Sequence, residues 1–196
     1  MRSFYNLFRH QAGGSITIQT AALYKYPAKS NTSYSAYNTL WEVFFINTVY
    51  AKAVIYGSNK YQDIYGYAAF VPDANKTLVT VSVYGLPKGE KCGCHIFAMH
   101  IHEGVSCTGT SEDPFADAKT HYDPNGCPHP CHAGDMPPLY PDKNGTAKFA
   151  FVTDRFTTGE MIGKTIIIHK MPDDLHTQPS GNSGEKIACG VIEKMG

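Results

Sequence analysis

From Tyr50 onward the chain alternates apolar and polar positions in short runs separated by turn residues. The run from Lys76 to Leu86 (KTLVTVSVYGL) is the clearest: Val79, Val81 and Val83 fall on one face, and Thr80, Ser82 and Tyr84 on the other. A period of two predicts a strand with one buried face. Comparable runs occur at 51–57 (AKAVIYG), 64–72 (IYGYAAFVP), 94–103 (CHIFAMHIHE), 145–156 (GTAKFAFVTDRF), 164–170 (KTIIIHK) and 186–194 (KIACGVIEK). Seven strands emerge, with room for an eighth. Turn residues at 73–75, 87–89 and 142–145 punctuate them, the spacing of an all-β fold: a Greek-key β-sandwich or flattened eight-stranded barrel. The stretch from Gly104 to Pro141 fits no strand, and a loop of that length in a compact domain is usually functional.

Residues 1–46 follow a different pattern. Their Ser/Asn/Tyr-rich stretch (SNTSYSAYN) has neither a strand nor a helix period, and Leu40–Ile46 (LWEVFFI) is apolar but short and interrupted by Glu42. This part reads as a poorly ordered extension, or as a product of start-codon choice, ahead of a domain at 47–196. No apolar signal-peptide core follows Arg2 or Arg9, so export is unsupported and a cytoplasmic location is the default expectation.

A chain of 196 residues with 42% hydrophobic content can bury one full core. Its formal net charge of +0 leaves no electrostatic footprint for nucleic acid or an anionic membrane. No apolar run reaches the roughly 18 residues of a membrane span.

The chemistry is concentrated in histidines. Between Asp117 and Asp135 lie His121, His129, His132 and Asp135; His100-x-His102 lies just upstream. Imidazoles with one carboxylate suit copper and zinc, whereas calcium and magnesium call for oxygen donors. His100 and His102, two apart on a predicted strand, project from the same face and can grip one ion. His169 ends the strand KTIIIH and supplies a further donor. His95, at the start of a predicted strand, and His176, in a polar turn, read as packing and surface residues. Asp174 and Lys170 read as solvated charges, and Gly134, Gly181, Gly184 and Gly190 as positions of tight turn or close backbone approach.

The strings HIHEGVSC, ADAKTHYDPNG, HAGDMPP, HKMPDDL and PSGNSGEKIACGVIEK, in that order over residues 48–196, resemble the signature regions of the copper/zinc superoxide dismutase family. The resemblance implies a β-sandwich enzyme that converts superoxide to O₂ and H₂O₂ by cycling copper between Cu(II) and Cu(I), with zinc ordering the site and a homodimer as one assembly open to it. It implies copper at His100, His102, His121 and His169, zinc at His121, His129, His132 and Asp135, and His121 as the bridge and proton carrier. It further implies that Asp173 supports a ligand of each metal and that Cys107 and Cys189 form a disulfide. Closing that loop contributes about 4.5 kcal/mol in the chain-entropy model, an upper figure. A non-catalytic zinc- or copper-binding domain of the same fold is the other reading.

Three departures from the family pattern stand out. Only two residues separate His129 from His132, the segment from Asp174 to Lys186 is shorter than the usual charged loop, and Lys186 stands where the family places a substrate-guiding arginine. Lysine attracts an anion but lacks the planar fork of arginine. Residues 103–142 also hold seven acids against Lys119 alone. The rate is therefore expected to fall with ionic strength less steeply than in well-steered members. Cys92, Cys94, Cys127 and Cys131 have no family counterparts. Cys127 and Cys131 bracket His129; a second disulfide is the expectation for them, with zinc ligation or the free state as the alternatives.

Overall fold

The computed structural model describes residues 50–89 and 95–195; the extension at 1–46, and Cys92 and Cys94, lie outside them. Seven strands form one curled antiparallel sheet: β1 (Ala51–Gly57), β2 (Tyr65–Asp73), β3 (Lys76–Tyr84), β4 (Met99–His102), β5 (Ala147–Thr153), β6 (Thr165–His169) and β7 (Lys186–Lys194), in the order β4-β6-β7-β1-β2-β3-β5. The chain leaves β3, crosses to pair β4 with β6 at the far edge, and returns to lay β5 beside β3. That exchange is the Greek-key crossing. A one-turn helix, α1 (Thr158–Met161), and a 3₁₀ turn at Ala116–Ala118 are the helical elements among the described residues. None is long and apolar enough to cross a membrane.

Alternation determines which face is buried. Val79, Val81 and Val83 are 0–1% exposed and meet Ile55, Phe70, Phe97, Ile101, Leu139, Ile166 and Ile168 inside the curl. Side chains of this kind contribute about 1.5–3 kcal/mol each on full burial. The β2–β3 hairpin closes through a two-residue loop between the paired Asp73 and Lys76, with Ala74 at a φ of 52°.

The described residues form seven strands rather than eight, and the run at 94–103 yields only Met99–His102. Its partner β6 is five residues long, and their regular pairing runs from Met99–Ile168 to His102–Thr165; beyond it, His169 N–H donates to Ala98 O and Ala98 N–H to Met171 O, both at 2.9 Å. Upstream, a single bridge joins Phe97 to Leu139. His95 lies outside the strand; its ring stacks on Phe97 at 4.4 Å and its Nε2 lies 3.0 Å from the Lys170 carbonyl.

Candidate metal centre

In β4 (MHIH) Met99 and Ile101 enter the core, and His100 and His102 therefore point to the sheet's other face. The long loop covers that face, because both histidines are 0–2% exposed. The loop runs along the free edge of β4 and is pinned to it. Ile101 N–H donates to Gly134 O at 2.9 Å, Tyr122 N–H to Ile101 O at 2.8 Å, and Gly134 N–H to Tyr122 O at 2.8 Å. A side chain at Gly134 would collide with the Ile101 carbonyl, so this approach requires glycine. Bridges His100–Asp135 and His102–His121 complete the seam and bring the loop donors over the strand donors.

Two four-donor groups result. His100, His102, His121 and His169 form one; His121, His129, His132 and Asp135 form the other. In each group all donor atoms lie within 4.8 Å of one another, and His121 belongs to both. In the first group His102 Nε2 and His169 Nε2 face each other at 3.3 Å. In the second, His121 Nδ1 is 2.8 Å from Asp135 Oδ1 and 3.4 Å from His132 Nδ1. His129 Nδ1 stands 3.2 Å from Asp135 Oδ2 without hydrogen-bond geometry.

The opposite ring nitrogens are tied down. His102 Nδ1 pairs with the Lys119 carbonyl at 2.9 Å and His169 Nδ1 with the Gly184 carbonyl at 3.2 Å. His100 Nε2 and His129 Nε2 each meet one oxygen of Asp173, both at 2.8 Å. These contacts place the N–H away from each cluster and aim the lone pair into it. What remains is unusual for a packed interior: His100 Nδ1, His121 Nε2 and His129 Nδ1 are buried with no hydrogen-bond partner. A buried polar atom without a partner carries a desolvation penalty. Coordination by copper in the first group and zinc in the second would relieve it, and the donor sets suit those ions.

Electrostatics favour the ligating form. Burial pushes His100 down, pushes His102 well below its usual 6.5, and takes His169 to about 3, with the charge of His100 adding to the effect on His169. The rings are therefore neutral and ready to bind metal. For Asp135 burial raises the pKa, but the His121 hydrogen bond and the charges of His121, His129 and His132 outweigh it and leave the carboxyl below its ordinary value. Asp173 is likewise driven down: burial opposes this, and the His100 hydrogen bond, the Leu175 amide and the His129 hydrogen bond prevail.

A cavity of about 460 Å³ opens onto the first group, lined by His102, His121 and His169 together with Lys119, Glu103 and Lys186. An irregularity in the β6–β7 ladder brings Lys186 there. Cys189 pairs with Ile167 and Ala188 with Ile168, then Ile187 is skipped and His169 faces Lys186. Ile187 and Ala188 both enter the core, so the bulge reverses the alternation and turns Lys186 to the cavity side.

The disulfide Cys107–Cys189 is present, with a Cα–Cα distance of 5.7 Å. Cys127 and Cys131 are free, and neither joins a donor group; a second disulfide is not formed between them. The chain turns between them, with Cys131 N–H donating to the Pro128 carbonyl at 2.8 Å, and Cys131 is left exposed. Asp174 is not simply solvated. Its carboxylate accepts from the His176 and Thr177 amides and from the Thr177 hydroxyl, and so shapes the loop after Asp173.

Two supporting residues carry no mark in the sequence. Gln178 forms a reciprocal pair with the His129 backbone, accepting its N–H at 3.0 Å and donating to its carbonyl at 2.6 Å. Arg155 Nη1 reaches the carbonyls of Pro130, His132 and Asp135 at 3.2–3.5 Å. Neither has a local sequence signal, because their partners lie 49 and 20–25 positions away.

The chain matches the family model described as copper/zinc superoxide dismutase (SODC) over residues 64–192. It is 33% identical over 144 residues to Cu-Zn superoxide dismutase 2 of Aquifex aeolicus, covering 66% of this chain and 80% of that protein. It is 34% identical over 147 residues to the Cu-Zn superoxide dismutase of Deinococcus radiodurans, covering 66% and 78%. Among solved structures, the crystal structure of the clock protein EA4 superposes with a TM-score of 0.62 at 25% identity, over 76% of this chain and 96% of that one. With the family model spanning well over half of its length, the chain belongs to the copper/zinc superoxide dismutase family.

Proposed function

We propose that this protein dismutates superoxide to O₂ and H₂O₂ at a copper ion held by His100, His102, His121 and His169, beside a zinc ion held by His121, His129, His132 and Asp135. The observation that carries this reading is the set of three buried, unpartnered ring nitrogens, His100 Nδ1, His121 Nε2 and His129 Nδ1, each in a four-donor group. Copper, when bound, supplies the one-electron chemistry by alternating between Cu(II) and Cu(I).

The residues supply the remaining functions. Lys186 and the cavity admit a small anion beside His102, His121 and His169. Burial of these rings excludes bulk water from the donor atoms. His121, whose buried Nε2 has no hydrogen-bond partner and whose side chain lines the cavity, is the residue that would hold and hand on the proton the second half-reaction needs. Zinc, which has no redox chemistry, would hold His121 by Nδ1 and order the loop from His121 to Asp135.

Metal content by mass spectrometry, with dismutation assayed on the same sample before and after copper loading, tests the reading. About one copper and one zinc per chain with copper-dependent activity is expected. Zinc alone, with no activity after copper loading, would point to a non-catalytic metal-binding domain.

A further inference from the structure

Lys186 is not an unopposed cation. Its Nζ donates to Asp113 Oδ2 at 2.7 Å and to the Phe115 carbonyl at 3.1 Å. The lysine side chain is 15% exposed and that of Asp113 43%. The segment that carries Asp113 is firmly held. Cys107, at its start, is bonded to Cys189, three positions along β7 from Lys186. Phe115 and Ala118, at its end, pack with Ile167 and Cys189. Asp113 itself accepts the Phe115 amide through Oδ1 at 3.1 Å, and its carbonyl accepts the amides of Thr110 and Ala116. The carboxylate is thus built into place beside the ammonium, unlike the mobile surface pairs that contribute little.

We propose that Asp113 is a positioning residue that limits the range over which Lys186 attracts the substrate. This rests on the proposed superoxide dismutation. A lone charge acts over distance as 1/r, whereas an ion pair acts as a dipole whose potential falls as 1/r², and salt screens the remainder within a Debye length. Paired with Asp113, Lys186 pulls an anion only once it has entered the cavity. The shallow ionic-strength dependence expected from the sequence then has a structural cause: the cation at the mouth carries its counter-charge with it.

The test is a charge cycle on the copper- and zinc-loaded protein, with metal content verified for every variant. kcat/KM for superoxide is measured against ionic strength for the parent, Asp113→Asn, Lys186→Gln and the double variant. Asparagine retains the Oδ1 that accepts the Phe115 amide, so the turn is preserved. Asp113→Asn should unmask the ammonium, raise the low-salt rate about two- to fourfold and steepen its fall with salt. Lys186→Gln should unmask the carboxylate, lower the low-salt rate and flatten or invert the slope. The double variant should return to the parent's slope, since the pair carries no net charge. Azide, a small anion titrated into the Cu(II) protein at the same salt levels, should follow the same order of affinity without turnover. A low-salt rate that falls in Asp113→Asn, or a double variant that keeps the slope of Lys186→Gln, overturns the proposal. A parent that dismutates while its variants show no salt-dependent split sinks only the role of Asp113. A loaded parent that does not dismutate sinks the functional reading, and the azide series still decides the pairing.

Discussion

Gly181 packs directly against Asp173: a methyl group built on Gly181 would overlap Asp173 Oδ1 and come within 2.7 Å of His129 Nε2. The residue also takes a φ of 65°, a left-handed conformation that glycine adopts without penalty. Gly181→Ala should therefore displace the carboxylate that orients one ring of each donor group. Loss of such an orienting contact typically costs 10–100-fold in metal affinity. Chelator competition on Gly181→Ala should show losses for both copper and zinc; a loss confined to one metal would mean that Asp173 does not couple them.

Asp173→Asn tests the same relationship by chemistry rather than by volume. His100 Nε2 and His129 Nε2 both donate when their Nδ1 atoms ligate, so two acceptors are needed. A carboxylate has two; an amide has one, and its NH₂ would oppose an N–H. One ring must then turn or lose its tautomer. Weakened binding of at least one metal, about tenfold or more, is expected while the fold persists in circular dichroism. Unchanged affinities would remove Asp173 from the centre.

Arg155 and Gln178 should act on zinc rather than on the core. Arg155 gathers three loop carbonyls and Gln178 clamps both backbone groups of His129. Arg155→Ala and Gln178→Ala should each speed zinc release to a chromophoric chelator, with losses of about 1–3 kcal/mol in unfolding free energy, the range for two or three hydrogen bonds. A release rate equal to the parent's would show that the loop holds its shape without them.

The parts of this centre legible in the sequence are those governed by local rules. Alternation alone separates Met99 and Ile101 from His100 and His102 in MHIH, and the alternation of Val79, Val81 and Val83 assigns the core face of β3 in the same way. Gly134, Gly181 and Gly190 are places where backbone or side chain comes too close for a Cβ. The bulge at Ile187 is not legible, because strict alternation from Cys189 would turn Lys186 into the core; skipping one residue reverses it. Arg155, Gln178 and Asp113 act through tertiary contacts that leave no periodic trace. Nor does the run beginning at Cys94 set its own strand length, which depends on the five residues of its partner β6.

Reducing Cys107–Cys189 should destabilise the protein by up to about 4.5 kcal/mol, the chain-entropy figure for the separation of 82 residues. The bond also seals the small cluster of Phe115, Ala118 and Ile167 on the sheet's outer face. Cys107→Ser should lower the urea midpoint while leaving the Val79–Val81–Val83 face packed. A midpoint shift near zero would mean that this cluster holds the loop without the covalent link.

Acid should destabilise the metal-free protein, and the sign follows from two sets of groups. His100, His102 and His169 lie below the usual 6.5 in the fold, with His169 at about 3. Between those values the unfolded chain binds protons that the native rings refuse, so stability declines as pH falls from about 6.5 toward 3. Asp135 and Asp173 lie below the usual 3.8 in the fold, so their contribution is complete above that value and is lost as pH falls through their lower native values. Both sets act in the same direction. Urea midpoints of the metal-free protein should hold steady from pH 8 to about 7, then drop progressively at pH 6, 5 and 4. Bound copper should shift that decline to lower pH, because metal and proton compete for the nitrogens of these three rings. A midpoint that stays flat from pH 7 to pH 5 would show that the three rings take up protons in the native state, and that the donor groups are less enclosed than their packing implies.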